Sequence, residues 1–121
     1  MAKARTLADK LLIKAGVTVA VINAPEGMGT VEGAEPAATP KDAGAALLFA
    51  ATAKEVDKHF PKLAKVMAQG TRLWIAYPKA GKLNTDLNRD KLWTRVEPLG
   101  WEGVRLVSID DTWAAMMFRR A

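Results

Sequence analysis

Apolar residues fall into two rhythms along this chain. Val17 to Asn23 (VTVAVIN), Ala45 to Ala51 (AALLFAA) and Arg72 to Tyr77 (RLWIAY) are short, near-continuous apolar runs, which predicts strands buried on both faces of a parallel sheet. Between them the apolar positions recur at helical spacing. Thr6 to Lys14 reads as a short helix with Leu7, Leu11 and Leu12 inward, closed by Gly16. Thr52 is the expected N-cap of a helix running to about Gln69, with Val56, Phe60, Leu63 and Met67 inward and Gly70 ending it. Pro61 lies inside that pattern and predicts a kink or a split into two helices. A further helix is expected from Asp86 to about Leu99, capped by Thr85, with Leu92, Trp93, Val96 and Leu99 facing the core.

Ala24 to Ala43, rich in Gly, Pro, Ala and Thr, reads as irregular chain with room for one short edge strand or a helical turn. Val104 to Asp110 and Thr112 to Phe118 predict a tight hairpin around Asp110 and Asp111, so the last strand runs antiparallel. The sum is a β-α-β-α-β-α-β-β order in one domain over residues 1–121: a mostly parallel sheet covered by helices and finished by an antiparallel hairpin.

Composition removes several chemistries. There is no cysteine, which excludes disulfides and thiolate sites, and the single histidine, His59, excludes a multi-histidine metal cluster within one chain, so no metal is expected. Ser108 is the sole serine, and no acid, base and nucleophile are grouped along the chain. The formal charge of +5 brings nucleic acid or an acidic ligand into view. Lys54, Lys58, Lys62 and Lys65, however, stand opposite the apolar stripe of one helix without interleaved aromatics, the pattern of a solvated face. Asp110 and Asp111 read as hairpin residues, and Trp74, Trp93, Trp101 and Trp113 as helix–sheet packing. The amino-terminal MAKARTLADKLLIKAG lacks an apolar stretch of signal-peptide length, and no segment approaches the ~20 apolar residues of a bilayer span, so a cytoplasmic protein without membrane contact is expected.

Ligands of parallel sheets settle at the carboxyl ends of the strands. That edge receives Asn23 and Pro25 from the first strand, and Tyr77, Pro78 and Lys79 from the third, followed by Lys82, Asn84, Thr85, Asp86, Arg89 and Asp90. A helix start there, with Lys79 and Arg89 adding charge, makes a candidate anion pocket. The competing reading is a salt-bridged helix start in which Asp86 and Asp90 neutralise those cations.

Three ordered segments carry a family resemblance: LLIKAGVTVAVINAPEG, then LWIAYPK followed by TDLNRD, then SIDDTWAAMMFRR. With them the chain resembles short bacterial proteins known as domain of unknown function 3052, and more broadly the second half of a Rossmann-like methyltransferase fold. The resemblance implies an α/β, Rossmann-like three-layer sandwich. Such enzymes hold S-adenosylmethionine with a Gly-rich loop after the first strand and an acid ending the next. Here that loop is Asn23-Ala24-Pro25-Glu26-Gly27-Met28-Gly29, with Pro25 in place of a glycine turn and no clear acid-terminated second strand. The leading expectation is therefore a degenerate, non-enzymatic fold without a cofactor, binding a small anionic ligand or a protein partner, a second copy of the chain among the candidates. The alternative is a transferase using S-adenosylmethionine or a nucleotide, with Asn23, Glu26 and Lys79 near the cofactor. Nucleic-acid binding is a second alternative that the lysine pattern disfavours.

Overall fold

The computed structural model describes residues 7–13, 16–25, 31–37, 39–67, 71–79, 82 and 85–120. Its elements in chain order are α1 (Leu7–Lys10), β1 (Thr18–Ile22), β2 (Glu35–Pro36), a three-ten turn (Pro40–Asp42), β3 (Ala45–Phe49), α2 (Ala53–Val66), β4 (Arg72–Pro78), α3 (Arg89–Val96), a second three-ten turn (Glu97–Leu99), β5 (Trp101–Ser108) and β6 (Trp113–Arg120). They form a mixed α/β fold around a six-stranded sheet of order β2-β1-β3-β4-β6-β5. The sheet is parallel from β2 through β4 and antiparallel at both neighbours of β6. The hairpin thus enters in reverse: its second strand pairs with β4, and its first becomes the outer edge. Sequence pattern carries no information on that order. Between β1 and β3 the chain holds a short edge strand, β2, and a three-ten turn, as expected for Ala24 to Ala43, so among the described residues no full helix stands at the first crossover of the summed order.

Burial explains the apolar runs. Every residue of β3 is buried, as are Leu73 to Pro78 of β4, because these central strands are covered on both faces. Alternate residues feed two cores. Leu48, Leu73, Ile75 and Phe118 pack beneath Val56, Phe60 and Leu63 of α2 and Leu92 and Val96 of α3. On the opposite face Leu47, Phe49, Trp74 and Ala115 pack with Ala8, Leu11, Ile13 and Val31. The first strand is narrower than Val17 to Asn23, and only Val19 and Ala20 in it are buried, since its outer neighbour β2 has just two residues.

Several expected elements differ. The first helix is one turn, Leu7–Lys10, and Thr6 and Lys14 lie outside the described residues. Ala8, Leu11 and Ile13 face the core, whereas Leu12 takes φ +57° and turns outward. So short a helix is held by others: Trp74 Nε1 donates to Leu11 O at 3.0 Å and an Arg72 guanidinium nitrogen to Leu12 O at 3.0 Å, taking carbonyls that follow the helix. Pro61 does not split α2. It sits on the exposed face, where the Asp57 carbonyl left without its N–H donor can turn to water. The third helix begins at Arg89 rather than Asp86, because Asn88, not Thr85, caps it through an oxygen accepting from Lys91 N at 2.8 Å. Trp93 and Leu99, expected inward, are 36% and 55% exposed: Trp93 stands one position off the buried Leu92–Val96 stripe of α3, and Leu99 falls in the three-ten turn that ends the helical repeat at Glu97. Trp74, Trp101 and Trp113 are buried.

Replacing Trp74 with Phe removes the Leu11 bond and some core volume. An expected loss of about 1–3 kcal/mol, read from urea unfolding, checks that β4 tethers the amino-terminal turn.

Candidate functional site

The carboxyl ends of β1, β3 and β4 meet at one edge, and the turn from β3 into α2 lies at its centre. Asn23, just after β1, has φ +58°, a conformation that Asn tolerates better than most side chains. From there its Nδ2 donates to Phe49 O at 2.8 Å and to Glu55 Oε1 at 2.7 Å. Ala50 N donates to Ala76 O at 2.9 Å. Thr85 Oγ1 donates to Ala51 O at 2.6 Å and accepts from Leu87 N at 3.0 Å. Thr52 caps α2 as expected: its Oγ1 accepts from Glu55 N and donates to Glu55 Oε2, each at 3.3 Å. Asp86 Oδ1 accepts from Ala53 N at 2.8 Å, a carboxylate at the positive end of the α2 dipole. Side chains of Asn23, Thr85 and Asp86 therefore hold Phe49, Ala51 and Ala53, and the β4 backbone holds Ala50 between them.

Beside this clamp lies an open cleft of about 280 Å³ lined by Asn23, Ala24, Pro25, Phe49, Ala51, Glu55 and Trp113. Its apolar wall is the Phe49–Trp113 pair, edge to face with centroids 5.1 Å apart. Glu55 supplies the one carboxylate among the described lining residues. A second, larger groove of about 690 Å³ runs between α2 and α3, lined by Ala53, Asp86, Asp90, Lys91, Thr94 and Arg95. Arg95 there holds Asp57 at 2.6 Å, joining the two helices.

Of the residues singled out by sequence, Asn23 and Pro25 line the cleft. Pro78 is buried at the end of β4. The Lys79 ammonium donates to Ser108 Oγ at 2.7 Å, while its backbone N–H donates to Thr112 O. Arg89 meets Asp90 at 3.5 Å on the surface. Thr85 and Asp86 serve the β3–α2 turn. Glu26, the glycines of its loop and Asn84 lie outside the described residues. Asp110 closes the hairpin, its Oδ1 accepting from Thr112 N and Trp113 N at 2.8 and 2.7 Å. Sequence reasoning missed Ala24, Phe49, Ala51, Glu55 and Trp113 as lining residues. The Thr52-x-x-Glu55 capping pattern was the available signal for Glu55.

Tyr77 is the group whose acidity the fold visibly alters. Burial beneath the start of α3 pushes its phenol above the ordinary value of 10.0; nearby Arg89 works against that rise and Asp90 adds to it.

No protein-family model and no curated protein sequence matches the chain. Solved structures do match its fold. The B. subtilis tRNA methyltransferase TrmK superposes with a TM-score of 0.56 at 7% identity, over 88% of this chain and 61% of that one. A ribosomal-protein methylase from Lactobacillus delbrueckii subsp. bulgaricus gives 0.55 at 9% identity, over 93% and 73%. DhpI, solved with SAH, gives 0.53 at 10% identity, over 95% and 80%. The chain shares its fold with them. It spans less than two thirds of the tRNA methyltransferase's length. No helix among the described residues is long and apolar enough to cross a membrane.

Three measurements check this geometry. Thr85→Val removes a donor and an acceptor of nearly the same shape and should cost about 1–3 kcal/mol in chemical unfolding. Comparing Asn23→Ala with Asn23→Gly separates bonding from strain: both lose the carboxamide, and the alanine variant should be less stable by a further ~1 kcal/mol because only glycine accepts the positive φ freely. Tyr77 is the only tyrosine, so tyrosinate absorbance reports it alone. Its midpoint in the folded protein should lie above 10.0. Because the folded value is raised, this group's contribution to stability is complete below the unfolded value and is lost as pH climbs through the folded one. Tyr77→Phe should flatten that alkaline loss.

Proposed function

We propose that the chain is a methyltransferase-like domain that takes S-adenosylmethionine at the strand-end cleft. The observation that carries the reading is the cleft itself: an aromatic pair and a carboxylate lining one opening at the carboxyl ends of β1 and β3. The fold shared with two methyl-transfer proteins and with DhpI, solved with SAH, supports it.

The donor set fits the adenosine half of such a ligand. The partly exposed Ala24, Pro25 and Ala51, backed by the buried Phe49–Trp113 pair, offer an apolar surface to a purine, and the Glu55 carboxylate can accept from ribose hydroxyls. The Asn23 Nδ2 bond to Glu55 Oε1 orients that carboxylate, and the Thr52 hydroxyl holds its other oxygen. The cleft is near the small end of ligand sites, ~300–1,000 Å³, and the Glu26-Gly27-Met28-Gly29 segment continues directly from its Pro25 rim. When bound, S-adenosylmethionine would supply an electrophilic methyl group. The protein's part is to bind and orient it.

One observation favours a second reading, a ligand-binding domain without catalysis. Both Glu55 oxygens already have protein partners, and no lysine, histidine or serine is among the described lining residues to manage a proton. Occupation of the cleft by this cofactor is tested by binding. S-adenosylhomocysteine at a hundredfold excess over its dissociation constant should stabilise the fold by ~2.7 kcal/mol, raising the melting temperature by roughly 10 °C. Glu55→Gln should weaken that binding about tenfold or more. No thermal shift with millimolar S-adenosylhomocysteine or S-adenosylmethionine sinks the proposal; a shift with ATP alone points to a nucleotide instead.

A further inference from the structure

The two edges of the sheet are built differently. At one, β2 is only Glu35 and Pro36, both exposed, and a proline in so short a strand leaves little for another chain to pair with. At the other, β5 runs eight residues, and among the described strands nothing pairs with its outer side. Its apolar residues stay in water: Val104 is 40% and Leu106 44% exposed. Next to them, α3 and the turn Glu97–Leu99 pack on β5 and leave Trp93 and Leu99 open as well. Gly103 belongs to the same corner. A Cβ built there would stand 3.5 Å from the Trp93 ring and 2.9 Å from Met116 Sδ, so the indole lies close against bare backbone. An exposed apolar corner continuous with an open strand edge marks an interaction surface.

The geometry points to a second copy of this chain as the occupant, its β5 added antiparallel to the first across a two-fold axis. The strand is self-complementary in that arrangement. Glu102 and Arg105 share one face, because their β6 partners Arg119 and Met117 are two positions apart and the irregularity between Gly103 and Arg105 absorbs the extra residue. Pairing Glu102 with Arg105 of the second copy places Arg105 against the second copy's Glu102, so the ion pair forms twice. Among the described residues Arg105 has no ion pair of its own, while Glu102 already holds Arg119 of β6 at 2.5 Å through one oxygen and would offer the other to Arg105 of the second copy. On the opposite face the same register sets Leu106 level with the second copy's Trp101 and brings the two Trp93–Leu99 corners together. This inference is independent of the cofactor reading.

Sedimentation equilibrium tests it on the full chain. The expected species has twice the 13.1 kDa chain mass. Arg105→Glu should raise the dimer dissociation constant about tenfold by setting like charges opposite at two places, and Leu106→Lys should do so through the apolar face. Adding Glu102→Arg to Arg105→Glu should restore association, with circular dichroism showing all variants folded. A chain that stays monomeric, a dimer indifferent to both single changes, or one that the charge swap fails to restore overturns the pairing.

Discussion

The turn from β3 into α2 is the constraint on which the rest of this structure depends. Parallel strands cannot close on themselves through a short hairpin, so each must hand its chain to a crossover whose exposed backbone groups need partners. Here the partners are side chains: Asn23 on Phe49 O, Thr85 on Ala51 O, Asp86 on Ala53 N and Thr52 on Glu55 N. Each comes from a segment that is itself irregular. The clamp therefore fixes three connections at once, and it defines the floor beside which the cleft opens.

That arrangement gives the polar motif Thr85-Asp86 a mechanical meaning. A threonine and an aspartate before a helix suggest a cap for that helix, yet both reach to another element, and Asn88 does the local work. The cations expected to gather around an anion are also engaged nearby, Lys79 with Ser108 and Arg89 with Asp90. The electrostatics of this edge are largely internal. What remains open is the less charged cleft at β1 and β3, where one oriented carboxylate and two aromatic rings line one opening.

The two sides of the sheet are unequal in the same economical way. Beneath α2 and α3 the core is deep and conventional in its helix spacing, while the opposite face relies on one helical turn, Val31 and bonds from Arg72 and Trp74. The fold likeness to a tRNA methyltransferase, a ribosomal-protein methylase and DhpI at 7–10% identity fits this picture, since burial and handedness constrain residue identity far more loosely than residue type.

What the sequence determined by itself was local and periodic. The central strands, the α2 stripe, its Thr52 cap and the final hairpin were legible, because burial on both faces demands unbroken apolar runs and a helix buries one stripe. Asn23 and Pro25 could be placed at a strand-end edge for the same reason. Where the periodicity changed, the reading failed: the one-turn α1 is held by bonds from distant Arg72 and Trp74, whereas the late start of α3 and the exposed Leu99 follow from the Asn88 cap and the three-ten turn at Glu97. Only the tertiary structure decided that β6 lies between β4 and β5, that Asp86 caps a helix 33 positions away in the chain, and that Glu55 and Trp113 line one cleft. Those are long-range pairings, and a pattern along the chain specifies which face a residue must hide without specifying what will cover it.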